Sequence, residues 1–160
     1  MAINPNTQFS SGAVFTADEA NRFPRGIMGY ATSDTSQNLT TTSTIATGMT
    51  VTFDAETDRL YKVTYLEPEV QTPSVVNGDT TIAIKLTDAS TTALSVSVIK
   101  TPSAAKLENQ MTTIALESFA TAGSKTFVGA ARSSSTTGTP QLERTSSRLA
   151  IIIVEDIGPT

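Results

Sequence analysis

From Gly26 onward, apolar and polar residues alternate in short runs with a period of two, the pattern of strands that bury one face. GIMGYAT (26–32) opens the series, and MTVTFD (49–54) alternates Met49, Val51 and Phe53 with polar residues. LYKVTYL (60–66) places Tyr61, Val63 and Tyr65 on one face. TTIAIKLT (80–87) does the same with Ile82, Ile84 and Leu86, and NGD just before it supplies a turn. ALSVSVI (93–99) predicts Leu94, Val96 and Val98 inward and its serines outward. QMTTIALES (110–118), KTFVGAA (125–131) and RLAIIIVED (148–156) complete the set. The last is apolar at successive positions, which predicts a central strand covered from both sides. Short strands with turns between them and no long helix predict an all-β fold, a jelly-roll-like β-sandwich of about eight strands. The polar loops 33–44 and 133–141 are long enough to be mobile or to lie against a neighbouring subunit.

The period changes before Gly26. Thr16 with Glu19 three residues later has capping-box spacing, and Asp18 and Glu19 suit the first turn of a helix. Asn21 favours a left-handed stop and Pro24 forbids continuation. A helix of at most two turns is marginal alone and needs a packing partner. The chain therefore divides into an extended N-terminal arm with a short helix (1–25) and a sandwich domain (26–160). The arm has two open readings. It is a linker whose Phe23 covers the edge of its own domain. Alternatively it is a docking arm, with Phe15 and Phe23 as anchors and Arg22 and Arg25 pairing with carboxylates on a partner.

Composition removes most chemistry. The 160 residues suit one domain with a real core, and they include neither cysteine nor histidine. That excludes disulfides, thiolate nucleophiles, the common zinc, copper and haem ligand sets, and the usual neutral-pH base. No cofactor is expected. A net charge of −4 argues against a nucleic-acid partner. No apolar run approaches the roughly 20 residues that cross a bilayer, so no membrane partner is expected. MAINPNTQF lacks a signal-peptide pattern, which predicts synthesis in the cytoplasm. Ser and Thr exceed a quarter of the chain while charged residues make up 16%, a hydroxyl-rich surface suited to a packed assembly.

The remaining motifs are weak. DAETD (54–58) spaces three carboxylates like a calcium loop, but Arg59 stands where glycine is needed and Tyr65 where the bidentate Glu is needed. A strand-end turn with solvated charges is the better reading, and an incidental loop calcium stays open. SVIK and SAAK match Ser-x-x-Lys without its companion motifs. Glu67 and Glu69 flank Pro68 and could face a substrate as a glycosidase pair. A strand terminus broken by Pro68 fits better, since the chain lacks Trp and has only 6% aromatics. The Asn38-Leu39-Thr40 sequon matters only in a eukaryotic secretory pathway.

Three segments carry a resemblance: INPNTQFSSGAVFTADEANRFPRGIMGYA, RLYKVTYLEP and LAIIIVEDIGP. Together they cover about a third of the chain. They resemble small structural proteins of tailed bacteriophages, the minor tail or tail-fibre proteins common among actinobacterial phages; related domains decorate capsids. The most specific element is Gly12, Val14, Thr16, Ala17 and Asn21 followed by Phe23 to Gly26. The resemblance implies a non-enzymatic jelly-roll-like homotrimer on the virion surface, assembled in the host bacterial cytoplasm. Its partners would be other virion proteins of the tail or the major capsid protein. Attachment or subunit-interface candidates are Phe9, Val14, Phe15, Asn21, Arg22, Phe23, Pro24 and Arg25. An alternative is a carbohydrate-binding receptor module of the tail that reads a host surface glycan through its loops. An Asp/Glu glycan hydrolase ranks below both.

Overall fold

A computed structural model of the chain describes residues 17–21 and 23–160, so Phe9, Val14, Phe15 and Arg22 lie outside the described residues. Helix α1 spans Ala17–Asn21. Ten strands follow: β1 (Gly26–Ser33), β2 (Gln37–Asn38), β3 (Thr44–Ala55), β4 (Arg59–Gln71), β5 (Asp79–Leu86), β6 (Ala93–Lys100), β7 (Glu108–Ser118), β8 (Gly123–Ser133), β9 (Gln141–Leu142) and β10 (Ala150–Pro159).

Apart from the two-residue β2 and β9, the eight long strands pair by a simple rule. First pairs with last (β1/β10), second with seventh (β3/β8), third with sixth (β4/β7) and fourth with fifth (β5/β6), all antiparallel. This is one long hairpin rolled up on itself. The pairs β10/β4 and β8/β5 close the roll into two sheets, β1-β10-β4-β7 and β3-β8-β5-β6. That is a jelly-roll sandwich, as the strand pattern predicts.

The core between the sheets holds the expected inward residues: Met49, Val51, Phe53, Tyr61, Val63, Tyr65, Ile82 and Ile84 are all buried. Rings gather at one end, with Phe53 4.9 Å from Tyr61 and 5.8 Å from Phe127 between centroids. The Tyr65 ring lies directly on the backbone of β8. A Cβ at Gly129 would fall 2.8 Å from Tyr65 Cζ, so only glycine admits this ring.

Three expectations are corrected, and the two long loops gain a definite place. On β6 the faces are reversed: Leu94, Val96 and Val98 face out. Ser95 Oγ instead meets Thr113 Oγ1 at 2.7 Å, and Ser97 Oγ donates to the Thr112 carbonyl at 2.8 Å. A two-residue period defines two faces but does not say which is inward, and hydroxyls seam this edge strand to β7. On β10, Ile152 and Val154 are buried, but Ile151 and Ile153 are half-exposed on the outer face, so the described residues cover one side only. β4 does not end at Pro68. It continues to Gln71 through an irregularity between Glu67 and Val70, which lets proline sit where no ladder bond is needed. The two long loops carry β2 and β9 and lie on their own domain. Leu39 is buried, and its N–H donates to the Pro140 carbonyl at 2.8 Å.

Candidate functional site: the arm root and two apolar faces

The arm joins the sandwich where β4 begins and β10 ends. Arg59 Nε donates to Asp156 Oδ2 at 2.8 Å and Nη2 donates to Oδ1 at 2.7 Å. Both side chains are buried, with 5% and 0% exposure. The remaining guanidinium donors reach back to the chain entering the domain: Nη1 to the Asn21 carbonyl and Nη2 to the Phe23 carbonyl at 2.7 Å. The Gly158 N–H also donates to Asp156 Oδ1, at 2.9 Å. A two-pronged buried pair thus fixes main chain rather than side chain at the end of α1.

Arg25 forms an ion pair with Glu56 in the β3–β4 turn. The bond raises the Arg25 pKa and lowers that of Glu56, although solvent screens so exposed a pair. The structure therefore brings Asn21, Phe23 and Arg25 of the candidate set together around Arg59 and Glu56, with Phe23 and Pro24 on the surface. Asp54, Glu56 and Asp58 are exposed in that turn, as the strand-end reading of DAETD expects. Sequence reasoning missed Arg59 and Asp156. Asp156 nevertheless had a signal: it shares the inward parity of Ile152 and Val154.

A second buried pair lies elsewhere in the sandwich. Arg144 Nε donates to Glu67 Oε2 at 2.9 Å and Nη2 donates to Oε1 at 2.5 Å, with both side chains at 0% exposure. Tyr65 donates its hydroxyl to Glu67, and Arg144 Nη1 reaches the Thr47 carbonyl at 2.7 Å and the Thr35 carbonyl at 3.2 Å. Glu69 instead pairs with Arg148 at the surface. The two carboxylates therefore have different partners in different surroundings, Glu67 fully buried and Glu69 near the surface.

Burial, and then the Glu67 carboxylate, hold the Tyr65 pKa well above its ordinary value. A raised acid pKa means the fold favours the neutral phenol. Its contribution to stability is complete below about pH 10, the unfolded tyrosine value, and is lost as pH rises further. Denaturant titrations from pH 9 to 11.5 should show wild type losing stability more steeply than Tyr65→Phe. Parallel slopes would contradict this account.

Each sheet also presents apolar side chains to solvent. On the first, cross-strand rows run Tyr30–Ile153–Thr64–Ile114 and Ile27–Glu155–Lys62–Leu116. Ile27, Tyr30, Ile114 and Leu116 are each more than half exposed. Lys62 and Glu155 within it neutralise each other at 2.7 Å. On the second sheet the row is Ile45–Ala130–Ala83–Val96, in which Ile45 and Val96 are exposed and the two alanines between them are buried, and Leu94 and Val98 are exposed along β6.

No protein family and no curated protein matches the chain. Among solved structures that match is that of infectious bursal disease virus Gt strain, at 13% identity and a TM-score of 0.25. The match covers 98% of this chain and 47% of that one, so this chain spans less than half its length. A likeness at that score carries no argument; strand order alone establishes the jelly roll.

Proposed function

We propose that the chain is a non-enzymatic structural protein on the surface of a tailed-phage virion, held there through its N-terminal arm and assembled as a homotrimer. The observation that carries this reading is the arm root. The buried Arg59–Asp156 pair directs its spare donors to the Asn21 and Phe23 carbonyls. An arm that transmits load to a partner needs such a fixed exit, whereas a passive linker does not. Phe23, Pro24 and Arg25 lie on the surface beside it, within the segment that carries the phage resemblance. Binding through such an arm stabilises the assembled state because only that state engages it.

Phage encoding the protein without residues 1–25 should yield virions that lack it, while the truncated chain keeps a cooperative thermal transition. Normal incorporation of the truncated protein would refute the arm reading. Copy number per virion separates the two locations, hundreds for capsid decoration against a handful for a tail tip.

A further inference from the structure

The outward positions of β5 are Thr81, Ala83 and Lys85, since Ile82 and Ile84 face the core. Pairing sets Arg132 and Val98 beside Thr81, and Ala130 and Val96 beside Ala83. Two adjacent alanines between the taller Ile45 and Val96 make the outer face of this sheet sink into a hollow of about 190 Å³. Ala83 and Ala130 form its floor, Lys85 stands at one end, and Ser43, Thr81 and Arg132 stand at the other. Two features at the Arg132 end are unexplained by the fold. Thr81 is 8% exposed, and its Oγ1 is buried with no hydrogen-bond partner among the described residues. Buried hydroxyls are nearly always paired, because an unpaired one costs stability. Arg132 is exposed and joins none of the ion pairs or side-chain hydrogen bonds of the described residues. Lys85 is less available, since its Nζ donates to the Ala89 carbonyl at 2.6 Å. Asp79 lies one step beyond Thr81 on the same face, with Lys100 opposite it as the offsetting charge.

We infer that this hollow binds one uronic-acid unit, a sugar ring that bears a carboxylate. The C–H face of the ring rests on the two alanines. The carboxylate takes two parallel hydrogen bonds from the Arg132 guanidinium, and a ring oxygen or hydroxyl accepts one from Thr81 Oγ1. Arg132 and Val98 flank that hydroxyl and are exposed, so their side chains part to admit the ligand oxygen. Other compact ligands satisfy less of the site. A neutral sugar leaves Arg132 unpaired, and a simple aliphatic acid leaves Thr81 unpaired. An amino acid brings an ammonium between two cations. The volume is below the roughly 300 Å³ at which drug-sized sites begin, which suits a single unit. With alanines in place of an aromatic platform, the affinity should be on the order of millimolar. This binding goes beyond the attachment role proposed above and does not depend on it.

The test follows backbone amide shifts of the full, isotope-labelled chain as sodium glucuronate is added at constant ionic strength, with glucose and acetate as parallel titrants. Glucuronate should move the amides of Thr81, Ala83, Ala130 and Arg132 saturably, and the other two should not. Arg132→Gln should weaken binding about tenfold, the loss of a two-pronged charged contact. Thr81→Val should weaken it severalfold yet leave the melting temperature of the free protein equal or higher, because the isostere removes an unpaired buried hydroxyl. No saturable shift with glucuronate would overturn the inference. So would acetate matching glucuronate, which marks an adventitious ion only, or a Thr81→Val variant that binds as wild type does. A uronate oligosaccharide that binds as the monomer does identifies a glycan chain as the source. One that is excluded identifies the free acid, and either result supports the site. Failure here leaves the arm reading intact, because that is scored by virion incorporation.

Discussion

Arg144→Leu should destabilise the fold by about 3–5 kcal/mol, the cost of leaving one partner of a buried ion pair uncompensated. Glu67 would remain at 0% exposure, with Tyr65 as its only side-chain partner among the described residues. The Thr47 and Thr35 carbonyls would also lose their donor, loosening the segments on either side of β2. Urea unfolding at pH 7 reads the effect as a lower midpoint. Adding Glu67→Leu should recover most of the loss, because replacing both charges with apolar groups removes the stranded carboxylate. A single-variant cost below about 1 kcal/mol would mean that water reaches Glu67, contrary to its burial.

That pair also marks where the sequence stops being readable. Strand positions were legible because a period of two survives wherever one face is buried and the other is wet. The inward face of β4 followed from Tyr61, Val63 and Tyr65, and two more residues along the same face reach Glu67. Its burial was thus implied, but Pro68 suggested that the strand ended there. The partner was hidden for a different reason. Arg144 lies 77 residues away in a polar loop, and only the rolled topology brings it to β4. On β6 strict alternation was visible, but its sense was not. An edge strand seamed by hydroxyls reverses the usual rule that the aliphatic side faces in. At the arm, the pattern marked where the helix and strand meet and gave no hint that Arg59 would hold their junction.

Arg59→Leu should have two effects: a stability loss of about 3 kcal/mol, since among the described residues Asp156 keeps only the Gly158 N–H, and release of the arm root. Trypsin reads the second directly, because it cuts after Arg25. In the wild type, Arg25 pairs with Glu56, and the chain just before it is held by two carbonyl contacts to Arg59. Cleavage there should accelerate about tenfold or more in Arg59→Leu, the factor that roughly 1.4 kcal/mol of lost local protection produces. Glu56→Gln removes only a screened surface pair and should change the rate little. Arg144→Leu is the decisive comparison, because it costs as much globally but touches nothing at the arm. If it speeds cleavage after Arg25 equally, the cut reports global unfolding and Arg59 has no special hold on the arm. If only Arg59→Leu does so, the Arg59–Asp156 pair is what sets the direction in which the arm leaves the sandwich.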